Sequence, residues 1–116
     1  MNKDVRLVVA FYREASGKEP VRDWLRSLDR ASKRILGEDI KTVQFAWPLG
    51  MPLVRGLSGG LWEVRSRLRD TTARVIFIIE GGTMILLHGF IKKSRATPKL
   101  DLDLSRKRAM NVRTHG

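Results

Sequence analysis

The sequence predicts an α/β fold of the α+β kind, and three observations carry that expectation. Apolar residues repeat at helical spacing between Val21 and Trp47, and from Leu61 the period changes to two. A Gly81-Gly82 pair then splits a long apolar run into a hairpin. The resulting order is an amino-terminal strand, a two-helix hairpin, an antiparallel three-strand meander and a carboxy-terminal helix. The helices are expected mainly on one face of the sheet. With 116 residues the chain has the size of one domain, read as 1–116.

Each element has its own signal. Val5, Leu7 and Val9 alternate with Arg6, Val8 and Ala10 before Phe11, the pattern of an opening strand. Pro20 suits a first helical position, and Val21, Trp24, Leu25 and Leu28 form a stripe, so a helix is expected from about Glu19 to Leu28. Asp29 can cap a second helix whose Leu36, Ile40, Val43 and Trp47 face inward while Lys33, Arg34, Glu38, Asp39 and Lys41 face water. Pro48 to Gly60 reads as a loop whose glycines permit close approach to a backbone or ligand.

Beyond Leu61, Trp62, Val64 and Leu68 fall on one face, with Glu63, Arg65, Arg67 and Arg69 on the other, expected to be solvated. Asp70 and Thr71 begin a turn, Ala73 to Ile79 is a nearly continuous apolar strand, and Met84 to Ile91 returns. Thr97 and Pro98 read as cap and first turn of a helix to about Asn111, with Leu100 and Leu104 on its buried side. Trp24, Trp47 and Trp62 fit buried stripes.

Composition narrows the function. Lys and Arg number 23 against 12 Asp and Glu, a formal net charge of +11, which calls for a polyanionic partner. The cations are spread over strands and loops and do not line one helix face, so nucleic acid is favoured over a membrane surface. No run approaches the roughly 20 apolar residues that cross a bilayer, and the start of the chain enters a strand pattern without a cleavage site. The absence of cysteine removes disulfides, thiolate chemistry and common zinc sites, and it fits a reducing compartment. Cytoplasm is the expected location.

Familiar catalytic motifs are missing: there is no Walker loop, no GxSxG elbow and no cysteine with a histidine partner. His88 and His115 are the only histidines, neither beside a cluster of acids in sequence, so no metal and no cofactor are expected. What remains is cationic: Arg65 and Arg67 on one strand, Arg74 on the next, and Lys92, Lys93 and Arg95 after the third. Arg65 and Arg74 flank the first hairpin almost equally, which makes them cross-strand neighbours. Glu63, sharing a face with Arg65, reads as one half of a cross-strand or same-face ion pair that holds the arginine in place.

Such a cluster suits RNA cleavage by the RNA's own 2′-hydroxyl, which needs charge stabilisation at phosphorus and proton transfer but no protein nucleophile. A guanidinium fork can hold two phosphate oxygens and stabilise the charge that grows there. Lys92, Lys93 and His88 are the candidates for proton transfer. His88 is otherwise a hydrogen-bonded packing residue in an apolar strand, and the lysines are otherwise solvated phosphate contacts. Arg55, Arg67 and Arg95 are candidate RNA-binding residues, with Phe90 either stacked on a base or packed.

The segments LWEVR, ARVIF and LLHGFIKKSRATP, joined in that order by short hairpins, resemble the phage-derived HigB-like branch of the RelE/ParE toxin superfamily. The amino-terminal strand and PVRDWLRSL agree more loosely. The resemblance implies a RelE-like fold, an mRNA endonuclease acting on the ribosome or on free message, and a cognate antitoxin, often a helix-turn-helix repressor. It also implies phosphate stabilisation by Arg65 and Arg74, and RNA binding or proton transfer by Lys92 and Lys93. Several relatives place a tyrosine or histidine acid/base near the carboxyl end; here Tyr12 is the only tyrosine and His115 is nearly terminal. Two other readings use the same cations: a non-catalytic nucleic-acid-binding module, and a phage protein that inhibits a host protein.

Overall fold

The computed structural model describes residues 6–92 and 97–115. Five strands form one mixed sheet in the order β1-β5-β4-β3-β2. They are β1 (Val8–Phe11), β2 (Val54–Gly56), β3 (Trp62–Arg67), β4 (Thr72–Glu80) and β5 (Thr83–Lys92). Three α-helices accompany them: α1 (Pro20–Ser27), α2 (Arg30–Ala46) and α3 (Lys99–His115). β2, β3, β4 and β5 are antiparallel neighbours, and β1 runs parallel to β5 at the far edge. The expected α+β class and meander are present.

The helical hairpin follows its sequence signals. Pro20 opens α1, where its missing N–H costs nothing. The Ser32 N–H donates to Asp29 Oδ1 at 2.7 Å and caps α2. That backbone hydrogen bond, with the Ser32 side chain and Lys33 adding to it, holds the Asp29 carboxyl below its ordinary 3.8. A carboxyl with a lowered folded pKa stabilises the fold fully above its unfolded value and loses that contribution as pH falls through the folded value. Asp29→Ala is therefore expected to lower Tm at neutral pH, with the gap closing as pH drops below 3.8.

The helices, expected mainly on one face, divide between the two: α1 and α2 share one side and α3 takes the other. Val21, Leu36, Ile40 and Val43 from α1 and α2 pack with Val64, Val75, Phe77 and Leu86 on one side of the sheet. Ala109, Leu102 and Val112 of α3 pack with Ile76, Ile78 and Leu87 on the other. Both faces are covered, which explains why β4 reads as a continuous apolar run. Trp47 seals the first core, its ring edge-on to Trp62 at 5.0 Å and to Phe77 at 5.6 Å.

The stretch read as one long loop contains β2, a strand of three residues between Pro52 and the glycines, too short to show alternation. The last helix also differs from expectation. It runs to His115, its buried positions are Ser105 and Ala109, and Leu100 is 82% exposed. Leu104 is half-buried. Leu102 N–H reaches the Pro98 carbonyl at 3.0 Å, which puts Pro98 at the cap, while the Thr97 hydroxyl is donated to Glu63 Oε2 at 2.8 Å.

Two glycine sites locate β5. Gly81 and Gly82 both have positive φ (56° and 82°), as a two-residue turn between right-twisted strands requires. Gly89 has no room for a side chain, because a Cβ there would lie 2.3 Å from the Trp24 ring of α1. Gly89→Ala is expected to destabilise the fold by about 1–3 kcal/mol in urea titration, through forced separation of α1 from the sheet.

Candidate active site

Seven of the nine residues singled out from sequence lie together on the face of the sheet that carries α3. Cross-strand register sets them in three rows over β3, β4 and β5: Arg67, Thr72, Lys92; then Arg65, Arg74, Phe90; then Glu63, Ile76, His88. Arg55 of β2 extends the third row beside Glu63. The other two, Lys93 and Arg95, lie outside the described residues.

A β-bulge makes this alignment. Ile76 pairs with His88 but Phe77 pairs with Leu86, so Leu87 is an extra residue on β5. Leu87 and His88 therefore break strict alternation, and Phe90 and Lys92 follow His88 onto the α3 side. The Arg108 Nη1–H donates to the Leu87 carbonyl at 2.8 Å, satisfying the bulge from α3.

The Arg65–Arg74 pair is the electrostatic centre. Like charges directly opposite on a sheet repel, and a buried carboxylate offsets them. Glu63 is 0% exposed and Arg74 is 1% exposed, with Arg74 Nη1 3.9 Å from Glu63 Oε2. Two expectations change here. The face is not solvated at Glu63 and Arg74, which are both buried, with the Thr97 hydroxyl ahead of α3 donated to Glu63, and the partner of Glu63 is the diagonal Arg74. Burial lowers the Arg74 pKa, Glu63 acts against that, and Arg65 and Arg55 add to the lowering. The guanidinium still keeps its proton throughout the physiological range.

Arg65 is more open. Its Nη1 approaches the Met51 sulfur at 4.0 Å, and with Arg67, Pro52, Leu53, Thr72 and Asp39 it lines a cleft of about 380 Å³. Lys92 stands at the end of β5, in the row of Arg67. This rim is an accessible cationic surface, next to the buried Arg74.

His88 has an acidic partner that local sequence did not reveal. Its Nε2 lies 2.6 Å from Oδ1 of Asp101, in the first turn of α3. Its ring also stacks on Phe90, with centroids 5.3 Å apart and planes inclined by 24°. The spacing of thirteen residues between His88 and Asp101 crosses a loop, so no local motif marks the pair.

Tyr12 and His115 stand apart from these rows. The Tyr12 hydroxyl accepts a hydrogen bond from Asn111 Nδ2 at 3.0 Å, and both Tyr12 and His115 line a separate cleft of about 600 Å³ beside edge strand β1. Among the described residues no group of His, Cys, Asp and Glu is placed to hold a metal ion. No described helix is long and apolar enough to cross a membrane.

Fold and site together define an α+β protein that presents rows of arginine on a helix-covered sheet. Residues 23–110 match the family model described as phage-derived protein Gp49-like (DUF891). That match spans more than half of the chain, and the protein belongs to this family, a toxin-like family related to the RelE/ParE-type toxins. No curated protein matches the chain.

Proposed function

We propose that this protein is the toxin of a toxin–antitoxin pair, of the HigB-like branch, and that it cleaves messenger RNA on translating ribosomes in the cytoplasm. The toxin domain spans 1–116, and its antitoxin is a helix-turn-helix protein. The observation that carries the reading is the register of Arg65 against Arg74, with Arg67 and Lys92 in the next row.

Cleavage proceeds without a metal, through the 2′-hydroxyl of the RNA. The oxygen attacks the adjacent phosphorus, the bond to the 5′-oxygen breaks, and a 2′,3′-cyclic phosphate remains. Arg65 holds the phosphate oxygens from the cleft, where a guanidinium is pre-organised for charge that grows in the transition state. Arg74 supplies a fixed positive charge from beneath it. Arg55, Arg67, Lys92, Lys93 and Arg95 hold neighbouring phosphates, Phe90 bounds the site near a base, and the proton acceptor is drawn from Lys92, Lys93 and His88.

The test is mapping of message ends by primer extension after brief induction. New ends within coding sequence are expected from the natural chain and none from Arg65→Ala. Salt-sensitive RNA binding without new ends overturns the reading in favour of a non-catalytic binding module.

A further inference from the structure

From the contact between β5 and α3 we infer that Asp101 positions His88 as the proton acceptor for the 2′-hydroxyl, an inference that rests on the ribonuclease reading. His88 Nε2 lies 2.6 Å from Asp101 Oδ1, at the short end of hydrogen-bond reach. Nε2 therefore donates to the carboxylate, and the neutral imidazole is left with Nδ1 as its acceptor nitrogen. Among the described residues no hydrogen bond engages Nδ1. Phe90, stacked on the ring, limits its rotation.

Placement makes the pair suited to act with the arginines. His88 lies two residues along β5 from Phe90, and Phe90 shares a row with Arg74 and Arg65. Two strand spacings across the sheet and two residues along β5 separate Arg65 from His88, about 12 Å between backbones, a gap that a long arginine and an imidazole can span around one phosphodiester. The side chains of His88 and Asp101 remain 16% and 26% exposed, whereas Glu63 in the same row is sealed at 0%. Of Glu63 and Asp101, Asp101 is the one that holds a histidine able to meet substrate.

The step balances without another reactant. Nδ1 takes the 2′-hydroxyl proton as the oxygen's electron pair forms the bond to phosphorus. The electron pair of the breaking bond goes to the 5′-oxygen, which takes a proton from water. Asp101 stabilises the imidazolium that forms, orienting the base without touching RNA. The charged group in contact with this ring is Asp101 on α3; in register, Glu63 on β3 shares its row, Arg74 on β4 stands one row away and Lys92 on β5 two rows away, with Arg108 of α3 bound to the adjacent Leu87 carbonyl.

The experiment is single-turnover cleavage of programmed message on purified ribosomes between about pH 6 and 8, a window around the ordinary histidine pKa. His88→Gln is expected to slow cleavage by about 100-fold or more and flatten the pH profile. Asp101→Asn presents an amide N–H to Nε2 and favours the wrong tautomer, so a loss of about 10- to 100-fold is expected. Asp101→Glu should recover part of that rate, and Tm for each variant separates chemistry from loss of α3 docking. Wild-type rates and pH profiles in His88→Gln and Asp101→Asn, with Arg65→Ala inactive, overturn this inference alone. Equal losses in Asp101→Asn and Asp101→Glu that track a fall in Tm overturn it in favour of a structural tie. Full activity in Arg65→Ala, or no cleavage by the natural chain, overturns the ribonuclease site and this inference with it.

Discussion

Replacing Arg65 with alanine is expected to lower RNA cleavage by about 10²- to 10³-fold, the cost of removing one pre-organised donor from a developing oxyanion. The fold should survive. Arg65 is half-buried at the rim of a cleft, and its removal relieves the repulsion with Arg74 opposite, so Tm should stay level or rise. Arg65→Lys should fall between the two, because an ammonium keeps the charge but loses the planar fork. Circular dichroism and RNA end mapping on the same preparations check both halves. Retained cleavage in a well-folded Arg65→Ala protein refutes the assignment.

Arg74→Ala should behave differently, as a stability mutation first. Glu63 and Arg74 are both essentially sealed from water, and deleting one partner leaves the other's charge buried. A loss of about 3–5 kcal/mol is expected, measurable by urea unfolding. Replacing both residues by leucine should restore most of the stability, since well-packed apolar pairs often equal a buried ion pair. An Arg74→Ala protein as stable as the natural chain contradicts this account of Glu63.

This contrast shows where sequence reasoning reached and where it stopped. Periodicity locates α1, α2 and the meander because each buries a stripe or face with one clear repeat, and Asp29 caps where its position predicts. The placement of α3 was not legible. Its apolar residues are few, and the small Ser105 and Ala109, not Leu100, meet the sheet. Glu63 and Arg74 are interior groups on the face that carries α3, which alternation on β3 alone cannot show.

The candidate site was legible as a set of cations but not as an arrangement. The symmetry of Arg65 and Arg74 about a turn sufficed to oppose them. His88 reaches their face only through the bulge at Leu87, an irregularity with no sequence mark here, and its partner Asp101 comes from another element. The Thr97 hydroxyl shows the same limit: a residue type suited to capping is engaged by a buried acid from β3.

The most direct test of the central claim is cleavage of two messages that differ at one sugar, carrying ribose or 2′-deoxyribose at the mapped cut. An enzyme that uses arginines to hold the phosphate and the RNA's own oxygen to attack it should cut the first, leaving a 2′,3′-cyclic phosphate, and spare the second at that position. Cleavage of the deoxy-substituted message at the same bond contradicts the account, because it requires a nucleophile other than the neighbouring 2′-hydroxyl.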